Sequence, residues 1–317
     1  MNHTSLSVPS FAKINWNLRV LGRRPDGYHE VSTKLQTVSL HDDLHFELSE
    51  DGTISLSCDQ PEIPKDDRNL IVSAARALKE RYGVSQGVRV RLEKKIPTQA
   101  GLGGASSNAA VSLLALAQLW NLETSAPAML EIAAGLGADV PFFLLGGCAV
   151  ANGTGAAVSP LPDELEYTQQ HLIVIKPNAN ISTREAYASL RSPALTTSQA
   201  EPILSSSRSE AKLSNSAPWP LRDSLRNDFE SAIFDIEPEI RRAKEALLQA
   251  GALGALLAGS GSSVFGIFAG REDQQRAASE IKLEAGWRIF PCVTVSRNEY
   301  AQAVDAWRIP FLRSSKP

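Results

Sequence analysis

The chain has 317 residues, long enough for one large or two ordinary domains, with 43% hydrophobic and 21% charged residues as in a soluble globular protein. A net charge of −3 provides no electrostatic footprint for nucleic acid or an anionic membrane, so small-molecule chemistry is the expectation. Cys58, Cys148 and Cys292 are far apart and form no CxxC pair, which excludes a disulfide framework and a zinc knuckle and predicts buried free thiols. The opening MNHTSLSVPSFAKIN lacks the basic-then-apolar build of a signal peptide. The longest apolar stretches, near 109–120 and 252–270, are interrupted by Gly and Ser and fall short of a membrane span. A cytoplasmic protein is expected.

In chain order, FAKINWNLRVLG alternates as a strand does, with Lys13, Asn15 and Asn17 on one face and Ile14, Trp16 and Leu18 on the other. A lysine between two asparagines suits a polar or anionic ligand, or else an edge strand with a solvated face. RRPDG predicts a turn that delivers Tyr28 and His29, a phenol and an imidazole able to read a base or sugar, or simply surface residues. YHEVSTKLQTVSL is a second extended run. HDDLH follows it with histidines at i and i+4, but at an expected turn, so no helix aligns them for a metal. DRNLIVSAARALKERYG reads as a helix ended by Gly83, and the Gly87–Glu93 run as a half-buried strand.

That strand leads into PTQAGLGGASSNAA, residues 97–110. No lysine follows Gly104, so it is no Walker A loop, and position 106 is serine, so it is no dinucleotide fingerprint. NAAVSLLALAQLWNL then reads as a helix, whose N-terminus would present free N–H groups and the positive dipole end. Glycines allow close approach of an anion, with Ser106 and Ser107 adding hydroxyls. The alternative is a helix start capped by serine or asparagine, the glycines serving only the turn. In LGADVPFF, Asp139 is either a helix N-cap ahead of Pro141 or a partly buried base. CAVANGTGAAVSPL reads as a strand pair.

After Pro162 come HLIVIKP as a buried strand and STREAYASL as a short helix. A Ser/Pro-rich segment near 192–222 is expected to be mobile or weakly helical. IEPEIRRAKEALLQAGA is a helix, ALLAGSGSSVFGIFAG a strand, turn and strand, REDQQRAASEIKLEAG a helix and WRIFPCVTVS a last strand. Mixing of strands and helices in both halves predicts α+β architecture in two domains, 1–165 and 166–317.

Together and in this order, the AKIN strand beside RRPDGYHE, the PxxxGLGGxSS loop, GADVPFF and the GSGSS loop resemble the GHMP kinase superfamily. The resemblance implies a ribosomal-protein-like N-terminal domain that binds ATP and a ferredoxin-like C-terminal domain. It puts the phosphates of ATP on Pro97, Thr98, Gln99, Ala100, Gly101, Leu102, Gly103, Gly104, Ala105, Ser106 and Ser107, with Asn69 near the adenine and Mg²⁺ accompanying the nucleotide. Lys13 and Asp139 are then the catalytic pair, and no side chain is assigned as a metal ligand. RRPDGYHE points to the branch whose acceptor is the C2 hydroxyl of a cytidine diphosphate-linked methylerythritol, 4-diphosphocytidyl-2-C-methyl-D-erythritol, in isoprenoid synthesis outside the mevalonate route. In that branch Asn15, Tyr28, His29, Thr183 and Tyr187 would meet the substrate, with Tyr187 stacking on the base.

No nucleic acid or membrane partner is expected, and the protein should be a monomer or weak homodimer. Ala105 stands where the family usually has a third glycine, which matters only if its φ is positive. Two rival readings are a superfamily kinase of homoserine, mevalonate or a sugar, and a nucleotide-binding module without catalysis.

Overall fold

The computed structural model describes residues 4–161, 169–190 and 225–304; the segment near 192–222 lies outside them. β1 (Ser5–Arg23) and β2 (His29–Ser49) form a long antiparallel hairpin joined at the RRPDG turn, where the Asp26 carboxylate accepts the Tyr28 N–H and the Arg24 guanidinium. They belong to a seven-stranded sheet with β3 (Ile54–Cys58), β4 (Gly87–Glu93), β5 (Cys148–Gly153), β6 (Ala157–Pro160) and the two-residue β8 (Arg226–Asn227). HDDLH forms no turn. It continues β2, because the buried Asp42 is held from the β4 side by the backbone N–H groups of Lys95 and Ile96 and the Lys94 ammonium. His41 and His45 are engaged with the Ser39 carbonyl and the Ser7 hydroxyl, and no metal-binding cluster occurs among the described residues.

One face of this sheet carries α1 (Leu70–Tyr82), α2 (Gly104–Leu119), α3 (Ala126–Leu136) and α4 (Val140–Leu145) over a core of aliphatic and aromatic side chains. Asn69 caps α1 and Gly83 ends it in the left-handed conformation, so both helix stops act as their residue types predict.

The second sheet runs β11–β7–β10–β9, entirely antiparallel, from β7 (His171–Lys176), β9 (Gly254–Leu257), β10 (Val264–Phe268) and β11 (Arg288–Val293). With α5 (Thr183–Ser189), α6 (Glu230–Ile236), α7 (Pro238–Gln249) and α8 (Arg271–Glu280) the chain order is the β-α-β-β-α-β of a ferredoxin-like layer, with extra helix in its first crossover. Leu172 to Ile175 form a continuous apolar run because both faces of β7 are covered. Ile173 and Ile175 meet the helices, while Leu172 and Val174 meet Ile14, Trp16 and Leu102 in a core shared with the first sheet. Two elements beyond residue 165 cross back: β8 pairs in parallel with β1, and α9 (Arg297–Ala303) buries Tyr300 in the first core, where its hydroxyl donates to the Phe143 carbonyl. Cys148 and Cys292 are buried as expected, but Cys58 is only partly so. No helix of the described residues is long and apolar enough to cross a membrane.

Candidate active site

The glycine loop is shaped by contact with both halves of the molecule. Gly101 and Gly103 have φ of +73° and +70°, and each is pressed against a neighbour: a Cβ on Gly101 would lie 1.9 Å from the Ala258 carbonyl oxygen, and one on Gly103 2.9 Å from the Phe143 ring. The loop's carbonyls are consumed from behind. Lys13 N–H donates to Leu102, Ser262 N–H to Gln99 and Ser263 N–H to Ala100, at 3.0, 3.3 and 3.2 Å. The GSGSS loop therefore gives two of its backbone donors to the first loop, holding it in shape, rather than to a ligand.

The N-cap of α2 is Gly103, with no side-chain capping bond, so the capped-helix alternative does not hold and the first-turn N–H groups face the cavity without a protein acceptor of that kind. Ala105 lies within the helix, outside the set of positive-φ residues, so its methyl group disturbs nothing. Ser107 is a correction: it is fully buried and bonded to Ser10 through the hydroxyls at 2.8 Å, because it points into the core. It does not line the cavity, whereas Pro97 through Ser106 do.

The cavity, about 1070 Å³, runs from this loop to the β1–β2 turn. At one end Ile63, Pro64, Leu70 and Leu92 make an apolar slot beside Asn69. Much of the Asn69 amide is already used: Oδ1 accepts the Ile71 N–H and Nδ2 donates to the Pro64 carbonyl. Beneath the loop, Lys94 reaches the cavity wall from its pairing with Asp42, its ammonium also donating to the Ile96 carbonyl; burial lowers its pKa against the opposing pull of Asp42.

In the middle, Lys13 is only 4% exposed, which overturns the solvated-edge alternative. Its ammonium donates to Asn15 Oδ1 at 2.9 Å and lies 3.4 Å from Asp139 Oδ2. The Asn15 amide is oriented by donation to Thr33 Oγ1 at 2.8 Å, and that hydroxyl donates to the Asn17 carbonyl. Asn17 does not share the cavity; a register shift separates it from Asn15, and its side chain accepts the Lys34 N–H. Asp139 occupies the N-cap position of α4 with φ −84° and ψ −13°, yet makes no capping bond. Its side chain is 35% exposed and is directed at Lys13.

At the far end His29 stacks on Tyr187, centroids 4.6 Å apart and rings 26° from parallel, and Phe229 meets Tyr187 edge-on at 4.9 Å. Burial lowers the pKa of His29, with the charge of Arg23 adding to it. Burial pushes Tyr187 up to about 12, helped by the negative charge of Asp139. Tyr28, at 67% exposure, stands at the rim. Thr183 reaches Ser260 of the GSGSS loop, hydroxyl to hydroxyl at 3.3 Å. Thr33, Lys94, Arg23 and Arg184 join the site unannounced, and Gly259 joins it from the GSGSS loop.

Two family models match the chain, GHMP kinases N terminal domain over 69–147 and GHMP kinases C terminal over 219–285. A relative in Prosthecochloris aestuarii named 4-diphosphocytidyl-2-C-methyl-D-erythritol kinase is 39% identical over 288 residues, 90% of this chain and 97% of its own. The chain belongs to the GHMP kinase family. A second relative of that name, from Thermoanaerobacter pseudethanolicus, is 38% identical and is covered over 92% of its length. The crystal structure of a 4-(cytidine 5'-diphospho)-2C-methyl-D-erythritol kinase superposes with a TM-score of 0.71 at 33% identity, over 91% of this chain and 99% of that one. Homoserine kinase from Cytophaga hutchinsonii, at 22% identity and a TM-score of 0.69 over 93% and 96% of the two chains, shares the fold. The two-domain α+β architecture is the GHMP kinase fold, and the chain is a small-molecule kinase of a family that uses ATP.

Proposed function

We propose that the protein transfers the γ-phosphoryl group of ATP to the C2 hydroxyl of 4-diphosphocytidyl-2-C-methyl-D-erythritol, as a step in isoprenoid precursor synthesis. Relatives bearing that name cover nearly the whole chain. The observation that carries the reading is that one cavity joins a glycine loop, the Lys13–Asp139 pair and an aromatic stack of His29 on Tyr187. Homoserine, mevalonate and galactose bring no ring base for that stack.

In this reading the adenine enters the apolar slot beside Asn69, and the phosphates lie on the N–H groups of Gly101 to Ser106 at the start of α2. Asp139 accepts the proton of the acceptor hydroxyl as its oxygen attacks the γ-phosphorus and the bond to the ADP oxygen breaks. The Lys13 ammonium, fixed by Asn15, faces both the carboxylate and the loop, where it offsets charge on the transferring group. Asp139 is the sole carboxylate among the described residues of the cavity wall, which fits Mg²⁺ carried mainly by phosphates and water; Asp139 and the Ser106 hydroxyl would be its hard-oxygen contacts. Bound there, the ion would supply neutralisation of phosphate charge. The cytosine is read at Tyr28, His29 and Tyr187, with Asn15 and Thr183 along the sugar and polyol. The enzyme acts in the cytoplasm as a monomer or weak homodimer, without nucleic acid.

The test is coupled ADP release with Mg-ATP and a panel of acceptors. Release with the cytidyl substrate and not with homoserine, mevalonate or galactose is expected. Release with one of those three alone would replace the substrate while leaving the family intact.

A further inference from the structure

We propose that Arg23 and Arg184, one from each half of the chain, hold the diphosphate of the acceptor between the base stack and the reacting hydroxyl. The proposal rests on the acceptor reading above and adds the residues that recognise its charge.

Arg23 is the cross-strand partner of His29 in the β1–β2 ladder, and directly opposed residues project from the same sheet face. Arg184 precedes Tyr187 by three positions on α5, which places the two on one side of the helix. Each ring of the stack thus has a guanidinium beside it, and both arginines line the cavity. Among the described residues neither forms an ion pair. Neighbouring arginines do: Arg24 binds Glu30 at 2.7 Å, and Arg68 binds Asp66 at 2.8 Å. The one carboxylate on this wall, Asp139, already faces Lys13.

For Arg184 the position along the cavity is also right. Arg184 follows Thr183, which touches Ser260; the next residue back, Gly259, has its Cβ position 3.2 Å from Lys13 Nζ. Going from the base stack toward the reacting centre, a ligand therefore passes Arg184 and Thr183 before it meets Lys13. A nucleoside diphosphate ester has its phosphates at this point, between base and acceptor hydroxyl. Two planar guanidinium forks free of carboxylates match that demand, since each can hold a phosphate oxygen pair bidentately. The γ-phosphate of ATP lies on the other side of Lys13, over the glycine loop.

The test compares CDP with cytidine by isothermal calorimetry on the wild-type protein, Arg23→Gln, Arg184→Gln and the double variant. Loss of one charge-assisted contact should weaken CDP about tenfold, and loss of both about fiftyfold or more, with cytidine unchanged within about twofold. Affinity for a non-hydrolysable ATP analogue should stay constant in all four proteins, which also certifies their folding. Equal weakening of CDP and cytidine would assign the arginines to the aromatic stack and overturn the proposal, as would CDP binding unchanged in the double variant. Wild-type protein that binds neither CDP nor cytidine would overturn the acceptor reading itself, and the proposal with it.

Discussion

Replacing Asp42 by asparagine should be among the most damaging single changes away from the reacting centre. The carboxylate is fully buried, and Oδ1 accepts the N–H groups of Lys95 and Ile96 at 2.7 Å each while Oδ2 accepts the Lys94 ammonium at 2.8 Å. It fixes the turn from β4 into the glycine loop. An amide of the same shape cannot serve both sides: with its nitrogen toward Lys94 it opposes an ammonium, and with its nitrogen toward the backbone it opposes two N–H donors. Either way a nearly buried cation loses its counter-charge, a change worth about 3–5 kcal/mol. Against total domain stabilities of about 5–15 kcal/mol, such a loss is large. Urea unfolding followed by circular dichroism measures it. Adding Lys94→Met removes the stranded charge, so Asp42→Asn/Lys94→Met should be more stable than Asp42→Asn alone by about 1 kcal/mol or more. A cost below about 1 kcal/mol for the single variant, or a double variant less stable than it, would refute the idea that this ion pair anchors the loop.

Three more outcomes can be checked. Gly101→Ala, with its +73° φ and a Cβ position 1.9 Å from the Ala258 oxygen, should lower ATP affinity about tenfold or more by prising the two loops apart, whereas Ala105→Gly should change that affinity little and cost only about 0.5–1 kcal/mol of helix stability. Because burial lowers the folded-state pKa of His29 below its ordinary 6.5, the unfolded chain takes up that proton first as the solution is acidified. Its contribution is thus complete above pH 6.5 and lost as the pH falls through the lower folded value, and His29→Gln should flatten the decline in Tm as the pH falls below 6.5. Tyr300→Ala should cost about 3–5 kcal/mol in urea unfolding by emptying the place where α9 enters the first core, while Tyr300→Phe should cost about 1 kcal/mol, the hydroxyl bond to Phe143.

Residue types that act locally were legible in the sequence. Gly83 ends α1 as a stop, and the alternation of GVRVRLE gives the half-buried β4, whereas Asn69, expected only near the adenine, proves also to be the cap of α1. The glycine loop was also legible, because positive φ combined with close approach of a neighbour, as at Gly101 and Gly103, demands glycine. What depends on the partner surface was not. Lys13 and Asn15 alternate with apolar residues as any solvated strand face would, and only the arrival of Asp139 and the glycine loop over them makes that face a cavity wall. Asp139 stands at a cap position, and a cap and a free carboxylate have the same local sequence; the missing capping bond is a fact of three dimensions. HDDLH reads as a turn by composition, but Asp42 is polar because it receives donors from another strand. Ser106 and Ser107 look equivalent, and one helical step turns the second into the core. Helix α9 carries a Ser296–Glu299 capping box, a sufficient local signal, yet its burial depends on a core built more than a hundred residues earlier in the chain.

The proposed proton transfer runs to Asp139 from a cytidyl acceptor held in the cavity of Lys13 and the glycine loop. Its most direct test is turnover of 4-diphosphocytidyl-2-C-methyl-D-erythritol by Asp139→Asn beside the wild type, with ATP-analogue affinity measured on the same preparations. A fall in kcat of about a hundredfold or more is expected, with nucleotide affinity within a fewfold of wild type. Turnover undiminished in Asp139→Asn would contradict it.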